Sequence, residues 1–189
     1  MDTPDPLTIE NDVNNVLTEM QRAGLKEDVP LFIGGHSLGG IVVQNYAMKN
    51  AAKFKGQVLM GSFLNRGNVN GTSPYPLTTL TIGGEKDGLA RISRIMESAV
   101  YLKELQHTFP VVALQGVTHM QFASGTPPPN VKNNDLKPEV TDEAAHEAIA
   151  STIAAYFISK LEGDSSSLDA IVEASNDEFL HPWEDAFHL

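Results

Sequence analysis

The stretch Leu31-Phe32-Ile33-Gly34-Gly35-His36-Ser37-Leu38-Gly39-Gly40-Ile41-Val42 sets a short apolar run against a glycine-rich turn and then a helix-like segment. It contains one G-x-S-x-G pattern, from Gly35 to Gly39. A strand that turns sharply into a helix at the serine forces that residue into a strained backbone conformation and lifts its hydroxyl clear of the sheet. Gly35 and Gly39 are expected to be required because a Cβ at either would collide with the turning backbone. Ser37 is therefore the candidate nucleophile.

The segments on either side repeat one cycle. Residues 7–25 read as an amphipathic helix, with Ile9, Val13, Val16, Leu17 and Met20 at three- and four-residue spacing and Gly24 as its C-cap. Pro30 to Gly35 is an apolar run bounded by turn formers, the pattern of a strand buried on both faces. A helix is expected from Leu38 to Ala52, with Ile41, Val42, Asn45 and Tyr46 along one side. Further strands are expected at Gly56–Gly61, Leu77–Ile82 and Pro110–Leu114, with a helix from Leu89 to Leu105. Ser62 to Pro76 reads as a long polar loop and 123–140 as irregular. Thr141 caps a last long helix to about Leu161, and a short amphipathic piece follows at Leu168–Ala174. Alternation of this kind predicts an α/β fold: about four mostly parallel strands in one sheet, with helices on both faces.

Ligands of such sheets bind at the carboxyl ends of the strands, so partners of Ser37 should follow other strands. Asp87 lies in Gly84-Glu85-Lys86-Asp87-Gly88, after the third strand, and His119 in Gly116-Val117-Thr118-His119, after the fourth. A serine hydroxyl needs a base to take its proton, and neutral imidazole suits that near neutral pH. The imidazole needs a carboxylate to fix its tautomer and steady the imidazolium. Glu85 competes with Asp87 for the acid role, and Asp87-Gly88 is also an ordinary turn dipeptide.

With these residues the chain resembles the α/β-hydrolase superfamily, its serine esterase and lipase-like members in particular. The resemblance rests on Gly35-His36-Ser37-Leu38-Gly39, Gly84-Glu85-Lys86-Asp87-Gly88 and Gly116-Val117-Thr118-His119, and covers about residues 7 to 161. It implies Ser37 as nucleophile, Asp87 as acid, His119 as general base and the backbone N–H of Leu38 as one oxyanion donor. It also implies hydrolysis of a carboxylic ester or related small acyl substrate through an acyl-enzyme, with no cofactor and no metal. Members of the fold place several strands before the nucleophile strand, whereas one helix precedes Leu31 here and no HGGG-type segment exists. The chain thus reads as the second half of the fold, over 1–162, followed by an acidic tail at 163–189. The strand at Leu31–Ile33 then becomes an open edge through which the chain self-associates. The competing expectation is a non-catalytic fragment serving as an interaction module or as a subunit of a split enzyme.

Composition narrows the remaining classes. At 189 residues, 41% hydrophobic and 20% charged, the chain suits one ordinary globule with one core. A net charge of −11 argues against nucleic acid or an anionic membrane as the main partner. From Glu162 onward there are acids but no Lys or Arg, which reads as a solvated tail. No apolar run approaches a membrane span, and Met1 to Pro6 lacks a secretory signal. Cysteine is absent, which removes disulfides and thiolate chemistry; the compartment leans to the cytoplasm without being fixed. Of the other histidines, His36 sits inside the elbow, where packing or hydrogen bonding accounts for it. His107, His146, His181 and His188 lie away from the strand ends. Phe63, Leu64, Tyr75 and Phe122 fit either a pocket lining or ordinary packing, and Asn70-Gly71-Thr72 is an isolated glycosylation sequon.

Overall fold

A computed structural model describes residues 6–69 and 75–187. The sequon at Asn70-Gly71-Thr72 and His188 lie outside these residues. The described chain runs α1 (Pro6–Arg22), β1 (Phe32–His36), α2 (Leu38–Asn50), β2 (Gly56–Met60), α3 (Arg66–Val69), β3 (Thr79–Gly84) and α4 (Ile92–Tyr101). It continues with β4 (Val111–Leu114), α5 (Pro129–Lys132), α6 (Asp142–Leu161), α7 (Ser166–Ser175) and α8 (His181–Phe187). The four strands form one parallel sheet in the order β1-β2-β3-β4. This is the α/β architecture expected from the alternation of elements.

The sheet feeds two cores because successive side chains point to opposite faces. Ile33, Leu59, Val111 and Ala113 join Val43, Tyr46 and Ala47 of α2 and Ile95, Met96 and Ala99 of α4 on one face. Val58, Leu80, Ile82 and Val112 pack on the other face against Ala155 and Tyr156 of α6 and Leu168 and Val172 of α7. The helix starts and stops follow local chemistry. Thr141 Oγ1 accepts the Ala144 N–H at 3.2 Å to cap α6. Gly24, at φ 103°, ends α1 in the left-handed conformation that favours glycine.

Three segments depart from the expectations. The buried face of α2 is Val43, Gln44, Tyr46 and Ala47, whereas Ile41 and Asn45 turn toward a cavity described below. The irregular region 123–140 holds the single turn α5. The segment read as a solvated tail is instead part of the packing. Leu168 and Val172 close one face, a π-turn at Asn176–Leu180 carries the chain round the β4 edge, and Leu180, Phe179 and Trp183 join the opposite face. On the way, Ser175 Oγ accepts the Ala113 N–H at 2.8 Å and so satisfies a backbone donor of the edge strand. The segment's apolar residues Leu168, Val172 and Leu180 are buried, whereas Phe187 is 59% exposed.

The β1 edge is dressed differently. It has no strand beside it among the described residues, and Val16 and Met20 of α1 and nearby Val29 are exposed. Of the α1 stripe, Val13 leans on the core, and the helix is tied to α2 by the Tyr46 hydroxyl, which donates to Asn14 Oδ1 at 2.7 Å. Among the described residues no helix is long and apolar enough to cross a membrane.

Candidate active site

The strand register puts His36, Met60, Ile82 and Val112 in one row across the sheet, so the loops that follow converge on its carboxyl rim. Ser37 leaves β1 with φ 55° and ψ −124°, the one non-glycine residue with positive φ among those described. Its N–H donates to Met60 O at 2.9 Å, which fixes the turn against β2. A Cβ on Gly35 would meet Gly39 O at 2.3 Å, so glycine is required there. At Gly39 the expectation fails, because a Cβ would meet nothing within 4 Å. The second obligatory glycine is Gly40, where a Cβ would lie 2.5 Å from Ser62 Oγ. The clash belongs to the approach of Gly35 to Gly39 O, and one missing side chain relieves it.

Asp87 and His119 are brought together. His119 Nδ1–H donates to Asp87 Oδ2 at 2.7 Å, with the side chains 2% and 0% exposed. The other carboxylate oxygen, Oδ1, accepts the N–H groups of Leu89 at 2.8 Å and Ala90 at 2.7 Å. Both oxygens of a buried carboxylate are thereby satisfied, and the imidazole is held in the tautomer that leaves Nε2 free to accept a proton. Gly61, at the end of β2 with φ 49°, clears space for this pair. A Cβ there would stand 3.0 Å from His119 Nδ1 and 3.2 Å from Asp87 Oδ2.

Glu85 is turned away from His119. Its Oε2 accepts the Gly116 N–H at 2.9 Å and its Oε1 pairs with Lys86 Nζ at 3.0 Å. Burial alone would raise its carboxyl, but the Gly116 N–H and Lys86 together hold it below the ordinary carboxylate value. Lys86 also reaches Glu139 at 2.9 Å.

His36 packs its ring 4.5 Å from that of His119 and 5.9 Å from that of Phe122, and its Nε2 is buried without a hydrogen-bond partner. Burial first, and His119 second, lower its pKa, so its ring is neutral at neutral pH.

Asp135 escaped sequence reasoning altogether. Its Oδ1 accepts the N–H groups of Gly88, His119 and Leu136, each at 3.1 Å, and its Oδ2 that of Met120 at 3.0 Å. One carboxylate thus joins the Asp87 loop to the 3-10 turn that begins at His119. Gln121 finishes that turn: its Oε1 accepts the Thr118 N–H at 3.0 Å and its Nε2 donates to Asp142 Oδ1 at 3.0 Å. No local pattern announces Asp135, which is 47 residues from Gly88 and 16 from His119.

Ser37 and His119 line one cavity of about 610 Å³, together with Leu38, Ile41, Phe63 and Leu89. Phe63 and Leu64 therefore take the pocket-lining role, while Tyr75 is buried in the core and Phe122 packs beside His36. Gln44, buried at 2% exposure, shapes the wall: its Nε2 donates to Gly40 O at 3.0 Å and Phe63 O at 3.1 Å, and its Oε1 accepts the Asn65 N–H at 2.9 Å. Among the described residues no group of three or more His, Asp or Glu side chains is arranged to hold a metal ion.

Comparison with protein families gives a match over residues 7–128 to a model described as the alpha/beta hydrolase family. No curated protein matches the chain.

Proposed function

The chain belongs to the alpha/beta hydrolase family, and from that premise we propose that it is a serine hydrolase of carboxylic esters or related acyl compounds. The observation that carries the reading is the buried 2.7 Å pair of His119 and Asp87, beside a cavity that Ser37 enters from a positive-φ turn.

In this reading Ser37 Oγ bonds to the substrate carbonyl carbon while its proton passes to His119 Nε2. Asp87 stays ionised and stabilises the imidazolium across Nδ1–H. The Leu38 N–H faces the developing oxyanion, and one such donor is worth on the order of 10² to 10³ in turnover. The tetrahedral species expels the alcohol, which takes the proton from His119 Nε2 and leaves the acyl group on Ser37. Water then gives a proton to His119, attacks the acyl carbon, and releases the acid as the proton returns to Ser37.

The test is labelling of the purified chain by a fluorophosphonate, followed by peptide mapping. Adduct is expected on Ser37, absent in Ser37→Ala and strongly reduced in His119→Ala. Hydrolysis of a 4-nitrophenyl ester should fall in both variants by on the order of 10⁴ to 10⁶. Folded protein that takes no label at Ser37 overturns the proposal.

A further inference from the structure

Among the described residues three fully charged side chains line the cavity beside Ser37: Arg66, Arg94 and Glu97. They sum to +1, in a chain whose formal net charge is −11. Glu97 Oε2 is shared, at 3.1 Å from Arg94 Nη1 and 3.7 Å from Arg66 Nη2. One carboxylate cannot occupy two guanidinium forks, each of which carries five N–H donors. Arg66 is further held in place, stacked 5.3 Å from the Tyr101 ring and within 3.5 Å of Glu97 O. The backbone from which it projects is fixed as well, because Gln44 bonds Phe63 O and Asn65 N immediately before α3. Arg94 stands on the first turn of α4, just beyond the loop whose N–H groups anchor Asp87. The two cations are therefore presented by the same strand-exit loops that build the candidate site, while Leu38, Ile41, Phe63 and Leu89 supply apolar surface at the same cavity.

We propose that this cavity selects acyl substrates carrying a carboxylate, with apolar chain along Leu38, Ile41, Phe63 and Leu89 and the carboxylate against Arg66 and Arg94. The inference rests on the hydrolase reading for its turnover but not for its binding. The Arg66 and Arg94 side chains are 57% and 64% exposed, so this net positive charge stands at the rim of the cavity, where it draws anions from a surface that otherwise repels them. Planar guanidinium forks suit a carboxylate better than a lysine ammonium would.

The experiment uses two ester pairs matched in length. In one pair the charge is on the acyl part, mono-4-nitrophenyl glutarate against 4-nitrophenyl pentanoate. In the other it is on the alcohol part, the butyryl ester of 3-hydroxypropanoate against propyl butyrate. The quantity read is the ratio of kcat/KM for the charged member to that for the neutral member. At low ionic strength at least one ratio should exceed about five, fall toward one in Arg66→Gln/Arg94→Gln, and shrink with added salt. The pair that shows the effect identifies the side of the ester lodged in the cavity.

Ratios at or below one in the wild type, or a preference that survives in the double variant, overturn the proposal. Hydrolysis of none of the esters counts against the hydrolase reading instead. The carboxylate site is then decided by calorimetry with glutarate: heat of binding in the wild type that is lost in the double variant upholds it, and no binding to the wild type overturns it.

Discussion

Replacing Gly61 by alanine tests the candidate site through one methyl group. The added Cβ would lie 3.0 Å from His119 Nδ1, 3.2 Å from His119 Cε1 and 3.2 Å from Asp87 Oδ2, closer than an ordinary van der Waals contact. It would also hold an alanine at φ 49°, which costs about 1–2 kcal/mol. The pair sits at 2.7 Å and is buried, so it can give way only by shifting the imidazole or lengthening its bond to Asp87. A misplacement approaching 1 Å costs about 10² in turnover, and full loss of the acid's hold on the base about 10⁴. The required movement is a few tenths of an ångström, so kcat should fall by about 10 to 10². Stability should fall by about 1–2 kcal/mol, which leaves the domain folded. Hydrolysis of a 4-nitrophenyl ester gives the first number and urea unfolding the second. The low-field His119 Nδ1–H resonance, read by NMR, reports the bond itself. An alanine variant with unchanged kcat and an unshifted resonance would refute the claim that Gly61 clears space for this pair.

Asp135→Ala removes the acceptor of four backbone N–H groups, so kcat should drop by about 10-fold or more while KM moves less. A change in thermal stability alone, with kcat and KM unmoved, argues against a positioning role. Tyr75 and Tyr156 donate to Gln57 Oε1 and Thr78 O, and burial pushes both hydroxyls up to about 12 from 10. Because the folded pKa is the higher, this stabilisation is complete below pH 10 and is lost as pH rises toward 12, by up to roughly 3 kcal/mol for each residue. Absorbance at 295 nm followed through alkaline titration should show two tyrosines ionising together with unfolding; their ionisation near pH 10 in the folded protein contradicts this. The open β1 edge, flanked by exposed Val29, should make the purified chain self-associate in sedimentation velocity, and a single monomeric species at about 100 µM excludes that.

The sheet was legible because its strands are short apolar runs buried on both faces, and the helices between them implied parallel strands. Asp87 and His119 were legible for a related reason: the sheet itself brings strand-exit loops to one rim, so sequence order carried spatial information. Asp135 was not, since its bonds run from a loop side chain to distant backbone groups and leave no periodic trace. Acidic composition hid the role of 163–189. Leu168 and Val172 have helical spacing, but nothing local says that Leu180 reaches the opposite face of the sheet. Gly39 illustrates the limit of motif reasoning, because the contact demanding glycine on one side of the serine is made by the backbone on the other side.

The bond from Ala113 N to Ser175 Oγ makes the two margins of the sheet unequal. Among the described residues one margin is closed by the chain's own helices, and the other, β1, has no strand beside it. A sheet with a single adhesive margin has a valency of one. Copies that pair through it meet face to like face about a twofold axis, and the result is a dimer with no sticky strand left over. Growth into a fibre needs a second margin, which α7 and the π-turn after it have already taken out of use. The wrap at β4 therefore bounds the size of any assembly that β1 can start.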